Sequence, residues 1–513
     1  MSEPVLPQVK NIVFLMLENR SLDNVLGWLY SWPPNYLPPP AHVYPAGSPA
    51  DYDGLAAGRF SNPAYTWTGR VNDYPVVTVP TDLGADQDRV PAYDPYEEMK
   101  ISGSWKGVLN QLFGSQDLIP GLPAPGGGPA QMRGFLQDYY SSYMLTWQGL
   151  DILWTYPPDQ LPVINSLARK FAVSDRWFCS VPTQTNPNRA FSLCGTSLGR
   201  ESNESIFATE QFDVPTVINY LAKAGKTWGL YFTDKWVGEK SYTEYTFPQI
   251  SNAGGEFGSI DDFLTRARGG TLPSFTYLEP AWGYGKGALY KQGTDYHPPT
   301  HVLPGDKFLN DIYQALKNSQ QWGQTLFIVT FDEHGGTYDH VSPPWGAISP
   351  DQNVGKDGFR FDLFGVRVPT LLISPFVKAS TVFRAPSESR YPFDHTSFIK
   401  TLLLWAGVDL GTVNLGQRMP AAPTFEDVLE PDHVNDDNVE AMAALPGTLS
   451  PDEREEGQPG GAGQPLNLLF EGIGSAATKA IIETGDLATV QAEIDRYRRD
   501  PEKFEAALAA SRT

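Results

Sequence analysis

Five short runs of apolar, β-branched and aromatic residues constrain this chain most: Asn11 to Leu17, Phe171 to Phe178, Trp228 to Phe232, Leu326 to Phe331 and Thr370 to Ser374. Their length and composition suit β-strands. Between several of them, apolar residues recur at helical spacing, as in Leu161 to Lys170, Val214 to Ala224, Lys307 to Asn318 and Ser397 to Trp405. Strands alternating with helices predict an α/β domain. At 513 residues and 41% hydrophobic, the chain has material for one large core or two ordinary ones.

The 45 prolines and 48 glycines are dispersed without a period, which predicts long ordered loops on a scaffold. The stretch from about 33 to 130, rich in Pro, Tyr and Asp, reads as a loop-rich insertion or cap over the sheet. Positions 1–435 are then one catalytic domain and 436–466 an acidic Pro/Gly linker. In 467–513, Leu487, Val490, Ile494 and Tyr497 follow Asp486 at helical spacing, predicting a helical tail that packs on the body.

A formal charge of -21 repels nucleic-acid phosphates and anionic bilayers, so nucleic acid is not an expected partner. The opening MSEPVLPQVKNIVFLML has no basic leader and runs into ENRS, so no signal peptide is expected, and the protein is expected in the cytoplasm or exported by a leaderless route. No run approaches the ~18 uninterrupted apolar residues of a membrane span. Cys179 and Cys194 allow at most a single bridge.

Nearly every polar cluster of interest directly follows a predicted strand, where open parallel sheets place their ligands. After Leu326 to Phe331 come Asp332, Glu333 and His334, and Gly335 and Gly336 permit a tight reversal into Asp339 and His340. At a strand end the pleat breaks, so adjacent acids can turn toward one cation. The first strand delivers Glu18 and Asn19, a hard-oxygen pair suited to a divalent cation, or else Asn19 or Ser21 simply caps a helix. In VPTQTNPNRAFSL, Asn186 as cap and Pro187 in the first turn would leave Thr185 just outside a positive helix end, a ready phosphoryl site. A threonine hydroxyl needs a metal or base to act as a nucleophile. Five of the seven histidines fall between 297 and 395. Of these, His297 and His395 precede helical segments, and either could protonate a leaving alcohol or activate water.

Taken in order, ENRSLDNVLG, TNPNR, HPPTHVLPGDKFL, DEHGGTYDHVSPP and PFDHTSFIKTLL resemble the phosphoesterase family of bacterial non-specific phospholipases C and acid phosphatase A. The resemblance implies an alkaline-phosphatase-like three-layer α/β sandwich, with a large, mostly parallel central sheet and the site at the strand ends. It also implies that Glu18, Asn19, Thr185, Asp332 and Glu333 bind one divalent metal ion, with Thr185 the nucleophile as well. Calcium, magnesium, manganese and zinc all suit such oxygens. His297, His340 and His395 match surrounding histidine positions, and Asn186, Asn188, Arg189 and Asp394 stand beside them as candidates for holding substrate. Two departures are visible. ISGSWKGVLNQLF lacks a histidine usual in that region, and His334 stands where asparagine is common.

The expected reaction is attack by Thr185 on phosphorus, a phosphothreonine intermediate and hydrolysis, on a phospholipid or small phosphate ester. Phospholipase C-type diester cleavage is the leading expectation. An acid phosphatase acting on monoesters, and a binding or toxin-delivery module without chemistry, are the alternatives. A choline head-group would call for aromatic faces, and Trp67, Tyr74, Trp105, Trp147, Trp154 and Tyr156 supply rings in or near the insertion.

Overall fold

The structure is a computed structural model that describes residues 5–32, 38–65, 71–78, 107–114, 129–138, 152–201, 203, 211–283, 292–298, 300–355 and 359–441. The predicted tail, most of the linker and much of the 33–130 region lie outside these residues.

Nine strands form one sheet: β1 (Asn11–Leu17), β2 (His42–Tyr44), β3 (Ala172–Ser174), β4 (Trp228–Phe232), β5 (Glu256–Ser259), β6 (Phe275–Leu278), β7 (Thr325–Phe331), β8 (Thr370–Ile373) and β9 (Thr381–Phe383). Their spatial order is β2-β9-β3-β8-β7-β1-β6-β4-β5. Every pairing is parallel except the two made by β8 with β7 and β3. The chain is therefore an α/β protein with a large, mostly parallel sheet, as its strand runs predict.

All seven residues of β1 and of β7 are buried, which a strand needs when helices cover both sheet faces. Side chains alternate along β1. Phe14 stacks on Phe398 of helix His395–Trp405 with centroids 3.9 Å apart, and Met16 meets Ser192 of helix Thr185–Leu193. Leu17 points the other way, level with Phe331, whose ring meets Tyr296 edge-on; Tyr296 in turn donates to Asp306 of helix Leu303–Lys317. One helix layer thus covers each face.

The predicted strand at 171–178 shortens to Ala172–Ser174, and Trp177 and Phe178 continue only as isolated bridges. The helix predicted from Lys307 begins at Leu303, with Pro304 in its first turn. Cys179 and Cys194 are buried and unbridged. Among the described residues, no helix is long and apolar enough to cross a membrane.

Candidate active site

Strands β1 and β7 are parallel neighbours with Leu17 level with Phe331, so the residues that follow them emerge side by side at one sheet edge. Asn19 turns there with φ 58°, a left-handed conformation that asparagine tolerates better than most residues. Its N–H donates to Asp332 Oδ1 at 3.0 Å. Gly335 (φ 61°) packs so closely on this turn that a Cβ would lie 2.2 Å from the Asn19 carbonyl oxygen. The reversal expected of the Gly-Gly pair is therefore also a close approach that only glycine permits.

Thr185 is the first residue of helix Thr185–Leu193, with Gln184 at the cap position. This corrects the expectation that Asn186 caps the helix. The Asn186 N–H instead donates to Asn203 Oδ1 at 2.8 Å, a long-range acceptor that replaces a local cap. The buried Thr185 hydroxyl lies 3.2 Å from Glu18 Oε2 and 3.4 Å from Asn19 Oδ1. One turn further on, Arg189 faces the same way. Its guanidinium holds Glu18 Oε1 from Nη2 at 2.7 Å and Nε at 3.1 Å, with Nε 3.6 Å from Asp332 Oδ2. Trp282 stacks on it with its centroid 4.9 Å away.

Burial, then the neighbouring charge of Asp332, pushes the Glu18 carboxyl well above the usual range, and Arg189 offsets only part of this. Asp332 Oδ2 is buried and accepts no hydrogen bond among the described residues. Two buried carboxylates thus share one guanidinium. Glu18, Asn19, Thr185 and Asp332 bring hard oxygen donors together, and this excess of buried negative charge fits a divalent cation. The Glu333 carboxylate folds back to accept from Gly335 N–H at 2.6 Å. Its neighbour His334 bonds through Nε2 to Gln111 Oε1 at 2.7 Å, and burial lowers its pKa to about 3. The two departures from the family pattern therefore meet: the histidine-free segment supplies Gln111 as the partner of His334.

His297 reaches this group through Asn19, whose Nδ2 lies 3.0 Å from His297 Nε2, while Nδ1 bonds to the Pro298 carbonyl. Burial lowers its pKa to about 4. His395 Nε2 donates to the Asp332 backbone carbonyl at 2.7 Å, Trp177 Nε1 lies 3.4 Å from its Nδ1, and burial also lowers its pKa. Both rings are therefore neutral near pH 7.

His340 joins a different group. It bonds to Asp23 Oδ2 at 2.6 Å and Asp53 Oδ1 at 3.1 Å, and Arg367 lies between Asp23 and Asp339. Burial alone would lower its pKa, but the Asp23 charge and both hydrogen bonds outweigh it and hold it at about 9. Ligand atoms of Asp23, Asp339 and His340 lie within 4.8 Å of one another, yet Arg367, His340 and backbone N–H groups already donate to the four carboxylate oxygens.

Among the other predicted residues, Asn188 donates to the carbonyls of Val181, Thr183 and Gln184 and ties down the loop before Thr185. Asp394 caps helix His395–Trp405 and accepts from Ser180 and Thr396. Trp67, Trp105 and Trp147 lie outside the described residues. Tyr156 is buried under Arg20. The rings beside Arg189 are Trp282, stacked on the guanidinium, and Tyr277, whose hydroxyl lies 3.4 Å from Nη1, with Tyr242 packed edge-on against Trp282; sequence reasoning missed these, along with Glu279. Glu279 directly follows β6, so the strand-end signal that marks Glu18 and Asp332 would have found it had Phe275–Leu278 been recognised as a strand.

The model of the Phosphoesterase family matches residues 9–408. Non-specific phospholipase C5 of Arabidopsis thaliana is 32% identical over 401 residues, covering 77% of this chain and 69% of the relative. Phospholipase C A of Mycobacterium tuberculosis is 26% identical over 443 residues, covering 79% and 74%. Among solved structures, a protein of the alkaline phosphatase superfamily from Vibrio parahaemolyticus overlaps 52% of this chain and 64% of its own, with 14% identity and a TM-score of 0.30. The match over residues 9–408 spans every strand-end residue described above, and the chain belongs to the phosphoesterase family, hydrolases that act on phosphate esters.

Proposed function

We propose that this protein is a metal-dependent phosphoesterase that cleaves phosphodiesters in the manner of a phospholipase C, with Thr185 as nucleophile. The observation that carries this reading is the Thr185 hydroxyl set between Glu18 and Asn19, beside a second buried carboxylate that one arginine cannot neutralise. The names of the plant and mycobacterial relatives favour a phospholipid substrate.

Glu18, Asn19, Thr185, Asp332 and Glu333 would hold one divalent ion, which supplies the positive charge that acidifies the threonine hydroxyl and steadies charge on the phosphoryl oxygens. Thr185 Oγ1 attacks phosphorus as its proton passes to the oxygen of the leaving alcohol; the new O–P bond replaces the bond to that alcohol, which departs neutral. The threonine then carries the phosphoryl group with its remaining substituent. Water attacks that phosphorus and frees Thr185, so two displacements retain configuration. His297, neutral and linked to Thr185 through Asn19, would take the proton of this water and pass it to Thr185 Oγ1, its Nε2 exchanging the Asn19 amide for the water. Arg189, committed to Glu18, sets the charge of the site rather than gripping substrate, while Asn186 faces the phosphoryl group. Asn188, Asp394 and His395 hold the surrounding loops and the Asp332 backbone.

The test compares p-nitrophenylphosphorylcholine with p-nitrophenyl phosphate on metal-stripped protein, with calcium, magnesium, manganese or zinc restored singly and Thr185→Ala as control. Cation-dependent hydrolysis favouring the choline diester, lost in Thr185→Ala, is the expected result. Preference for the monoester would make the protein a phosphatase, and activity persisting without divalent ions or without Thr185 would overturn the reading.

A further inference from the structure

Asn186, adjacent to the nucleophile, is fully buried, and its polar groups are unequally used. Its backbone N–H is taken by Asn203, and its side-chain Oδ1 accepts from the Tyr242 hydroxyl at 2.5 Å. Its Nδ2 has no hydrogen-bond partner among the described residues. Buried amide donors are seldom left this way, so the position calls for an acceptor that arrives with a ligand.

We propose that Tyr242 is a positioning residue: its hydroxyl locks the Asn186 carboxamide so that the two N–H bonds of Nδ2 face a phosphoryl oxygen of substrate bound at Thr185. The proposal rests on the reading of Thr185 as nucleophile. The carboxamide could otherwise rotate by half a turn and offer an acceptor instead of a donor. The difference matters because Glu18 and Asn19 Oδ1 present acceptors to the Thr185 hydroxyl, and the Arg189 guanidinium is spent on Glu18. Beside the cation, a neutral amide donor is what these side chains leave for an anionic phosphoryl group.

Tyr242 is itself held from several sides. It opens helix Tyr242–Thr246, where its N–H and that of Thr243 donate to the two oxygens of Glu279 at 3.1 and 2.8 Å. Glu279 Oε1 also accepts from Trp282 Nε1 at 3.1 Å. The Tyr242 ring meets Trp236 and Trp282 edge-on, with centroids 5.2 and 5.1 Å away. A chain of contacts thus runs from the end of β6 through Glu279 and Tyr242 to Asn186.

The test uses the full chain loaded with its activating cation and measures inorganic phosphate binding by calorimetry, beside KM and kcat for p-nitrophenylphosphorylcholine. Tyr242→Phe should weaken phosphate binding and lower kcat/KM about tenfold, the loss expected of one hydrogen bond, with cation affinity and melting temperature unchanged. Asn186→Ala should do the same, and the double variant should be no worse than Asn186→Ala alone. Asn186→Asp keeps the acceptor for Tyr242 but removes the donor, and should weaken phosphate further. Unchanged phosphate affinity in Tyr242→Phe, or losses that multiply in the double variant, would overturn the proposal. Failure of the underlying reading is separate: it appears as hydrolysis persisting in Thr185→Ala, whatever the phosphate affinity of the Tyr242 variant.

Discussion

Replacing Arg189 with methionine keeps most of the side-chain stem and removes the charge, so it isolates what the guanidinium does for two buried carboxylates. The lost contacts include both hydrogen bonds to Glu18, the 3.2 Å bond to the Met16 carbonyl, the 3.4 Å bond to the Tyr277 hydroxyl and the stacking on Trp282. Glu18 and Asp332 are then left together with no compensating charge described in the structure. Removing one partner of a buried ion pair costs about 3–5 kcal/mol. With unfolding entropy near 2.1 cal/mol/K per residue, the 400 residues from 9 to 408 give roughly 0.8 kcal/mol per kelvin. The melting temperature without divalent ions should therefore fall by roughly 4–6 °C. If Glu18 and Asp332 are cation ligands, adding back the activating ion should stabilise Arg189→Met by more than it stabilises the parent, because the ion neutralises the same charges. Scanning calorimetry with chelator and with each cation measures both effects. A drop below about 1 °C, or equal stabilisation of the two proteins by the ion, would refute the reasoning.

Two further predictions concern residues around this centre. The folded-state pKa of His340 is raised from 6.5 to about 9, so its contribution to stability is fully present below pH 6.5 and disappears as the pH rises through 9. It amounts to at most about 3 kcal/mol; His340→Gln should flatten the stability profile between pH 6.5 and 9, and an unchanged profile in urea titrations would contradict the assignment of His340 to the Asp23–Asp53 clasp. Gly335→Ala forces a Cβ onto the Asn19 carbonyl at a positive φ, and should cost about 1–3 kcal/mol while weakening cation binding at least tenfold by displacing Asn19. Calorimetric titration with unaltered cation affinity would show that the Asn19 turn does not need that approach.

The long strands were legible in the sequence because β1 and β7 lie under helices on both faces and so read as unbroken apolar runs. The same logic placed Glu18, Asn19, Asp332 and Glu333 at strand ends. What sequence could not supply was the neighbourhood: Asn19 and Asp332 are 313 positions apart and meet only because β1 pairs with β7. Strands β2, β5, β6 and β9, of three or four residues, are too short to show a period, and with β6 went Glu279 and its support of Tyr242. The start of the Thr185 helix was misplaced because Pro187 suggested a local cap, whereas the acceptor for Asn186 N–H comes from Asn203. His340 looked like another site histidine because nothing in its own segment reveals that Asp23 and Asp53 flank it.

The central claim is that Thr185 becomes covalently bonded to phosphorus. Protein quenched in acid during turnover of p-nitrophenylphosphorylcholine, digested and analysed by mass spectrometry, tests it most directly. The account predicts a phosphorylcholine adduct on the peptide containing Thr185, and none in Thr185→Ala. An adduct on any other residue, or turnover at the parent rate in Thr185→Ala, would contradict it.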